Sequence, residues 1–188
     1  HWPQKMADTY AAKINARHFF KGGDVQKAVC FDARLPAVAV PGDDLALDQE
    51  VTVIATSGTS GEPKAAVHTW GNHFYSAKGS QEMIPLTASD RWLLSLPLYH
   101  VAGIAVIVRC FLAGASIVIP QEDDLAETIT RHQITHVSLV ATQMYRLLNN
   151  SSFVGAINDR PYMRAILIGG SAIEKHLIER SLSSGLPV

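Results

Sequence analysis

Residues 51–69 read VTVIATSGTSGEPKAAVHT, and this stretch decides the fold. Its first part, Val51–Ala55, is a short β-branched run of the kind that forms a buried strand, and Ala65–His68 predicts a second strand. Between the two lies the string from Thr56 to Lys64, which consists mostly of glycine, serine and threonine. We therefore expect a strand, a loop that a ligand can approach closely, and a strand.

The chain after residue 69 alternates between short apolar runs and longer segments with helical spacing. The predicted strands are Trp92–Leu96, Ala115–Ile119, His136–Leu139 and Ala165–Ile168. The predicted helices run from a Thr69 cap to about Ile84 and over His100–Leu112, Leu125–His132, Thr142–Asn149 and Ile173–Ser183. Strands that alternate with helices imply βαβ crossovers, so we predict an α/β fold with a largely parallel sheet and flanking helices.

The first fifty residues have a different organisation. Residues 4–21 predict a helix that ends at Gly22-Gly23, and Ala37–Val40 could form a short strand. We accordingly divide the chain into an N-terminal helix with its connecting segment, residues 1–50, and an α/β core, residues 51–188.

The composition limits the class of protein. Of 188 residues, 47% are hydrophobic and 18% are charged, which is typical of a soluble α/β domain. A formal net charge of −1 does not favour a nucleic-acid partner, and no apolar run is long enough for membrane insertion. The two cysteines, Cys30 and Cys110, are predicted to be buried free thiols. We expect a cytoplasmic protein that acts on small-molecule substrates; its oligomeric state is left open.

The loop from Thr56 to Lys64 carries the strongest chemical signal. Its amides, hydroxyls and lysine concentrate donors and positive charge, which suits an anionic phosphate chain. The spacing Gly58-x-x-Gly61-x-x-Lys64, followed by Ala65, is not that of a Walker A loop. The alternative is a surface loop that merely links two strands.

The whole string resembles the signature loop of the adenylate-forming superfamily, which includes acyl-CoA synthetases, luciferases and peptide-synthetase adenylation domains. The resemblance implies that the loop binds the phosphates of ATP and that Lys64 also assists catalysis. In that chemistry a carboxylate attacks the α-phosphate and expels pyrophosphate, so donors and a cation are needed to bring two anions together. The implied ATP-binding residues are Thr56, Ser57, Gly58, Thr59, Ser60, Gly61 and Lys64.

Two later motifs extend this resemblance in the order expected of the family. Leu96–His100 resembles its P-[LM]-[FY]-H motif, which implies that His100 is a catalytic residue that either gates the acyl pocket or donates a hydrogen bond to the reacting carboxylate; alone, it would be read as structural. Ile168–Ala172 resembles its glycine-pair segment, which implies that Gly169, Gly170 and Ser171 lie along the adenine. The alternative for the glycine pair is a simple strand-to-helix turn.

Three segments resemble one branch, the o-succinylbenzoate–CoA ligases of menaquinone synthesis: residues 64–69, 92–103 and 138–143. The substrate of that branch is an aromatic keto-acid with two carboxylates. The resemblance implies that Arg109, inside an otherwise apolar helix, faces the carboxylate that is not activated. It also implies weaker pocket candidates, namely Ser138, Thr142 and Gln143. Arg109 could instead reach solvent or pair with a structural acid, and the parent could be another acyl- or aryl-CoA ligase or a non-catalytic nucleotide-binding module.

The same resemblance implies ATP, Mg²⁺ and the co-substrate CoA. The family's T-E motif, its ribose-binding aspartate and its C-terminal catalytic domain are absent from these 188 residues, so we expect most magnesium ligands to lie elsewhere. No metal ligand is predicted in this chain, because the remaining histidines share no metal-binding spacing. We therefore expect a piece of a longer enzyme, inactive alone.

Overall fold

The structure, a computed structural model, describes residues 46–56, 64–120, 124–159 and 162–188. In chain order its elements are β1 (Glu50–Thr56), β2 (Lys64–Thr69), α1 (Trp70–Met83), β3 (Arg91–Leu93), α2 (Val101–Ala113), β4 (Ser116–Val118), α3 (Leu125–Arg131), β5 (His136–Val140), α4 (Ala141–Leu148), α5 (Ser151–Asp159), β6 (Ala165–Gly169) and α6 (Lys175–Ser183). The predicted helix over 4–21 and the strand at Ala37–Val40 lie outside the described residues.

The first two strands form an antiparallel hairpin of their own. Its register pairs Thr56 with Lys64, so the loop predicted to bind phosphate leaves and re-enters the hairpin at a single pair of residues. The seven residues between them are too few for the crossover that a parallel pair would need, which explains why these two neighbouring strands are antiparallel.

The other four strands form a parallel sheet with the order β4-β3-β5-β6. This confirms the predicted α/β class with a parallel sheet and flanking helices. The strand predicted at Trp92–Leu96 ends earlier, at Leu93, because the chain then turns toward α2. The helix α5 was not predicted, since only Phe153 and Ile157 of its residues are buried.

The boundaries of two helices follow the expected end signals. The Thr69 hydroxyl accepts a hydrogen bond from the Asn72 N–H, and the Asn72 side chain accepts one from the Thr69 N–H, so α1 begins with a capping box. Helix α2 ends at Gly114, whose φ of 68° is the left-handed conformation that favours glycine. Within the described residues, no helix has the length and hydrophobicity needed to cross a membrane.

The two faces of the sheet pack against different helices because strand side chains alternate between faces. Leu93, Val137, Leu139 and Ile166 pack in the larger core beneath α3, α4, α5 and α6. Trp92 packs in the smaller core with Val106 and Cys110 of α2. The Cys110 thiol is free and buried, as predicted, and its burial raises its pKa to about 12; Cys30 lies outside the described residues.

Candidate functional site

The carboxyl edge of the parallel sheet gathers several of the predicted residues. Strand β5 ends at Val140, which is paired with Gly169 at the end of β6. The Ser95 hydroxyl, just beyond β3, donates to the main-chain oxygen of Ser138 and ties the neighbouring strand end to β5. Ligands of open α/β sheets bind in the crevice outside this edge, so the topology places the glycine pair where a ligand is expected.

The two glycines at this edge, Gly169 and Gly170, differ in whether the fold requires a glycine at their position. Gly170 has a φ of 88°, a conformation that residues with a side chain rarely adopt, so the turn after β6 requires glycine there. At Gly169, a Cβ would meet no described atom within 4 Å. The fold of the described residues therefore does not explain Gly169, whereas a flat ring lying against the main chain would. Ser171 follows in an exposed position.

The beginning of α4 holds two of the weaker candidates at the same edge. Gln143 accepts a hydrogen bond from the Val140 N–H through its Oε1 atom at 3.0 Å, so its oxygen caps the helix. This leaves the amide N–H groups of Gln143 and one lone pair of its oxygen for a substrate. Thr142 is exposed beside it, and Ser138 is buried on β5.

His100 lies immediately before α2 and is exposed. Its ring lies 4.6 Å from that of Tyr99, centroid to centroid, and its side chain makes no capping bond to the helix. The helix begins close to the preceding loop because Gly103 lacks a side chain; a Cβ there would overlap the main-chain oxygen of Pro97. The imidazole is thus presented outward rather than used by the fold of the described residues.

Arg109 lies nine residues further along α2 and faces the sheet. Its guanidinium carbon is 5.3 Å from the centroid of the Trp92 ring. Its Nε atom is buried without a hydrogen-bond partner, and no described carboxylate forms an ion pair with it. Burial lowers the pKa of Arg109, although an arginine that starts this high stays charged at neutral pH. The structure therefore places a partly buried cation beside the sheet, with no counter-ion among the residues that it describes.

Arg109, Ser138 and Gly169 share one face of the sheet. Trp92 belongs to the α2 face, its neighbour His136 stacks on it, and Ser138 and Val140 follow His136 at intervals of two residues. His136 is paired with Trp92, whereas Val140, four residues later, is paired with Gly169. The strand rise therefore separates the level of Trp92 from the level of Gly169 by about 13 Å.

The loop predicted to bind phosphate is described only at its two ends. Thr56 ends β1, and Lys64 begins β2 with an exposed side chain. The other predicted ATP-binding residues, Ser57, Gly58, Thr59, Ser60 and Gly61, lie outside the described residues. Their assignment stays a prediction.

Sequence reasoning missed the buried charged cluster at the amino edge of the sheet. Asp90 accepts hydrogen bonds from Arg164 Nη1 on both oxygens at 3.0 Å and from the Thr87 N–H and hydroxyl at 2.8 Å. The His136 ring lies 3.8 Å from this carboxylate, and burial lowers its pKa. No signal in the sequence joins residues this far apart. Across the described ranges, no three histidine, cysteine or acidic side chains are grouped to hold a metal ion.

With this geometry in place, comparison with known proteins decides the family. The sequence profile of the AMP-binding enzyme family matches residues 7–185. The chain belongs to this family. It is 35% identical over 150 residues to 2-succinylbenzoate–CoA ligase of Bacillus pumilus, covering 78% of this chain and 30% of that protein. It is 42% identical over 131 residues to 2-succinylbenzoate–CoA ligase of Escherichia coli K12, covering 70% of this chain and 27% of that protein. The chain thus spans about a third of the length of these relatives.

Solved structures agree with the fold. Wild-type E. coli MenE with a bound m-phenylether-linked analogue of OSB-AMS matches with a TM-score of 0.63 at 37% identity, over 75% of this chain and 29% of that one. Bacillus subtilis o-succinylbenzoate CoA synthetase in complex with ATP and magnesium ion matches with a TM-score of 0.66 at 32% identity, over 76% and 30%. The complex of the B. subtilis enzyme with the acyl-adenylate intermediate OSB-AMP matches with the same TM-score and identity, over 76% and 37%.

Proposed function

We propose that this chain is the nucleotide- and acyl-binding core, residues 51–188, of an ATP-dependent acid–CoA ligase that acts on o-succinylbenzoate in menaquinone biosynthesis. The gene product would form the acyl-adenylate with release of pyrophosphate and then the CoA thioester. We place this reaction in the cytoplasm, with Mg²⁺ held mostly by residues beyond those described. Residues 1–50 would form an N-terminal helix and connecting segment.

The observation that carries the proposal is the guanidinium of Arg109, which has no ion-pair partner in the described part of the chain. Burying a cation without a counter-ion costs free energy, so such a group indicates that a ligand supplies the anion. The Trp92 ring that Arg109 contacts lies about 13 Å along the sheet from the level of Gly169, at the carboxyl edge. This separation favours an extended substrate with a second anionic group over a short monocarboxylate. The relatives named 2-succinylbenzoate–CoA ligases support the same substrate class.

The proposed roles follow from the positions of the residues. Lys64 and the loop that begins at Thr56 would bind the phosphates, and the Gly169–Ser171 turn would accept the adenine against exposed main chain. ATP supplies the leaving group when bound. His100 would donate a hydrogen bond to the carboxylate that attacks the α-phosphate, which lowers the repulsion between this carboxylate and the nucleotide. Ser138, Thr142 and the Gln143 amide N–H groups would line the path of the acyl chain toward Arg109.

The test measures ATP-dependent pyrophosphate release by the full gene product. The two substrates are o-succinylbenzoate and benzoylpropionate, the same keto-acid without the ring carboxylate. Arg109→Ala is expected to lower kcat/KM for the dicarboxylate by about 10- to 100-fold, the effect of losing one charge-assisted hydrogen bond. The monocarboxylate should change by less than about threefold, within the usual scatter of surface substitutions.

Arg146→Ala, which removes an exposed arginine from α4, is the matched control and should leave both substrates unchanged. Pyrophosphate release that does not respond to either keto-acid would refute the substrate assignment and favour another acyl- or aryl-CoA ligase. Absence of any ATP-dependent pyrophosphate release with a broad panel of acids would favour a non-catalytic nucleotide-binding module.

A further inference from the structure

Arg109 contacts Trp92, a residue outside the candidate site described above. Trp92 is 1% exposed, and its ring lies under the guanidinium at 5.3 Å, within the distance at which a cation is attracted to an aromatic face. Because Arg109 has no ion-pair partner among the described residues, this face is the group that orients the guanidinium. An arginine held by a carboxylate would already have used its donors, whereas one held by a π face keeps its N–H groups for a ligand.

The indole also stacks against a buried ring of the neighbouring strand. The His136 ring stacks on it with centroids 5.2 Å apart and planes 30° apart, and it is 1% exposed. His136 is hydrogen-bonded through Nδ1 to the Thr135 hydroxyl at 2.8 Å and lies beside Asp90, which Arg164 fixes to the amino edge of the sheet. The indole that contacts Arg109 thus packs against a buried, hydrogen-bonded histidine.

We propose that Trp92 is a positioning residue that sets specificity: its indole face holds the Arg109 guanidinium where it meets the second carboxylate of the substrate. This inference rests on the proposed function. Trp92 does not touch the reacting carboxylate, which would lie at the far end of the substrate. Its loss should therefore affect recognition of the dicarboxylate and leave the chemical step in place. Burial lowers the pKa of His136, so the neutral ring that stacks on the indole adds no charge that would repel Arg109.

The experiment compares Trp92→Leu and Trp92→Phe in the full gene product. Trp92→Leu removes the π face and should raise KM for o-succinylbenzoate by about 3- to 30-fold, the range of a partly desolvated cation–π contact. Its kcat, its KM for ATP and its kinetics with benzoylpropionate should stay within about twofold of the parent, since these do not involve the second carboxylate. Trp92→Phe keeps a weaker π face, so its KM for o-succinylbenzoate should lie between those of the parent and of Trp92→Leu. Trp70→Leu is the control for loss of a tryptophan outside this contact.

An Arg109→Ala background separates positioning from packing. If Trp92 acts through Arg109, adding Trp92→Leu to Arg109→Ala should change KM for o-succinylbenzoate no further than about twofold, because coupled residues are not additive. Equal losses on both substrates, or full additivity of the two variants, would show that Trp92 only packs the core.

Fluorinated tryptophan provides the test should the leucine variant fail to fold. Fluorine withdraws electron density from the ring with little change of shape, so KM for o-succinylbenzoate should rise stepwise with the number of fluorine atoms on tryptophan analogues incorporated site-specifically in place of Trp92. A flat series overturns the inference. The proposed function fails separately, when the parent itself releases no pyrophosphate in response to o-succinylbenzoate.

Discussion

Removing the Asp90 carboxylate should destabilise the protein more than any surface substitution. The side chain is 1% exposed, and it accepts hydrogen bonds from Arg164 and from both the N–H and the hydroxyl of Thr87. These interactions join three places that are distant in sequence: the turn before β3, the residue before β6 and, through His136, the start of β5. The perturbation is Asp90→Ala, with the isosteric Asp90→Asn beside it.

The magnitude follows from the pKa of Asp90. Burial alone would raise it, but hydrogen bonds from Thr87, with those of Arg164 and Thr135, outweigh burial and lower the pKa from 3.8 to about 2. At 1.36 kcal/mol per pKa unit, this difference corresponds to about 2 kcal/mol in favour of the folded state at neutral pH. Because the pKa is lower in the folded state, this stabilisation is complete above pH 4 and is lost as the pH falls toward 2.

The assay is urea denaturation at several pH values. Asp90→Ala should lower the free energy of unfolding by about 2–3 kcal/mol at pH 7, because the Thr87 donors also lose their acceptor while the half-exposed Arg164 can return to water. The parent should lose about 2 kcal/mol between pH 4 and pH 2 from this group, and Asp90→Asn should not. Neutral His136 contributes a separate loss that begins near pH 6.5, since burial lowers its pKa in the folded state.

The matched control is Asp159→Asn, which alters an exposed carboxylate in α5. Its stability and acid dependence should equal those of the parent. A cost below about 0.5 kcal/mol for Asp90→Ala, the level of an ordinary surface substitution, would refute the reasoning, as would the same acid dependence in Asp90→Asn and parent.

Three further predictions concern glycines. Gly170→Ala should lower the free energy of unfolding by about 1–2 kcal/mol because of its positive φ, as thermal or urea unfolding would measure. Gly169→Ala should unfold like the parent, since its Cβ meets no described atom, yet it should weaken ATP binding in calorimetry of the gene product; equal affinity would argue against adenine at this turn. Gly103→Ala should destabilise by about 1–3 kcal/mol, because the added methyl overlaps the Pro97 oxygen; an unchanged melting temperature would contradict this.

Much of the fold was predictable because its signals are local. The apolar runs of β5 and β6, the Thr69 cap and Gly114 at the end of α2 each carry their own evidence in a few residues. Helix α5 carries little such local evidence, because only Phe153 and Ile157 of its sequence SSFVGAIND are buried. The end of β3 at Leu93 was not predicted, because Leu94 and Leu96 are as apolar as strand residues. Only the tertiary packing of the following turn determines where the strand ends.

The candidate site likewise contains residues with local sequence signals and residues that only tertiary packing brings together. The loop, His100 and the glycine pair lie in short motifs, so the sequence could indicate them without the fold. Arg109 was indicated by a charged residue in an apolar helix, a pattern that requires an explanation. The partner that holds it was not predictable, because Trp92 meets His136 through the register of two strands and meets Arg109 through the packing of α2 on the sheet.

Helix α2 has a consequence for how selectivity could diverge among proteins of this fold. It begins next to His100 and carries Arg109 nine residues later, roughly 14 Å along the axis. One inserted residue between them would turn the arginine by about 100° around the helix, away from the sheet, while the histidine stayed where it is. With the roles proposed for Arg109 and His100, a single indel in this helix would exchange one class of acid for another without altering the residue that assists its activation.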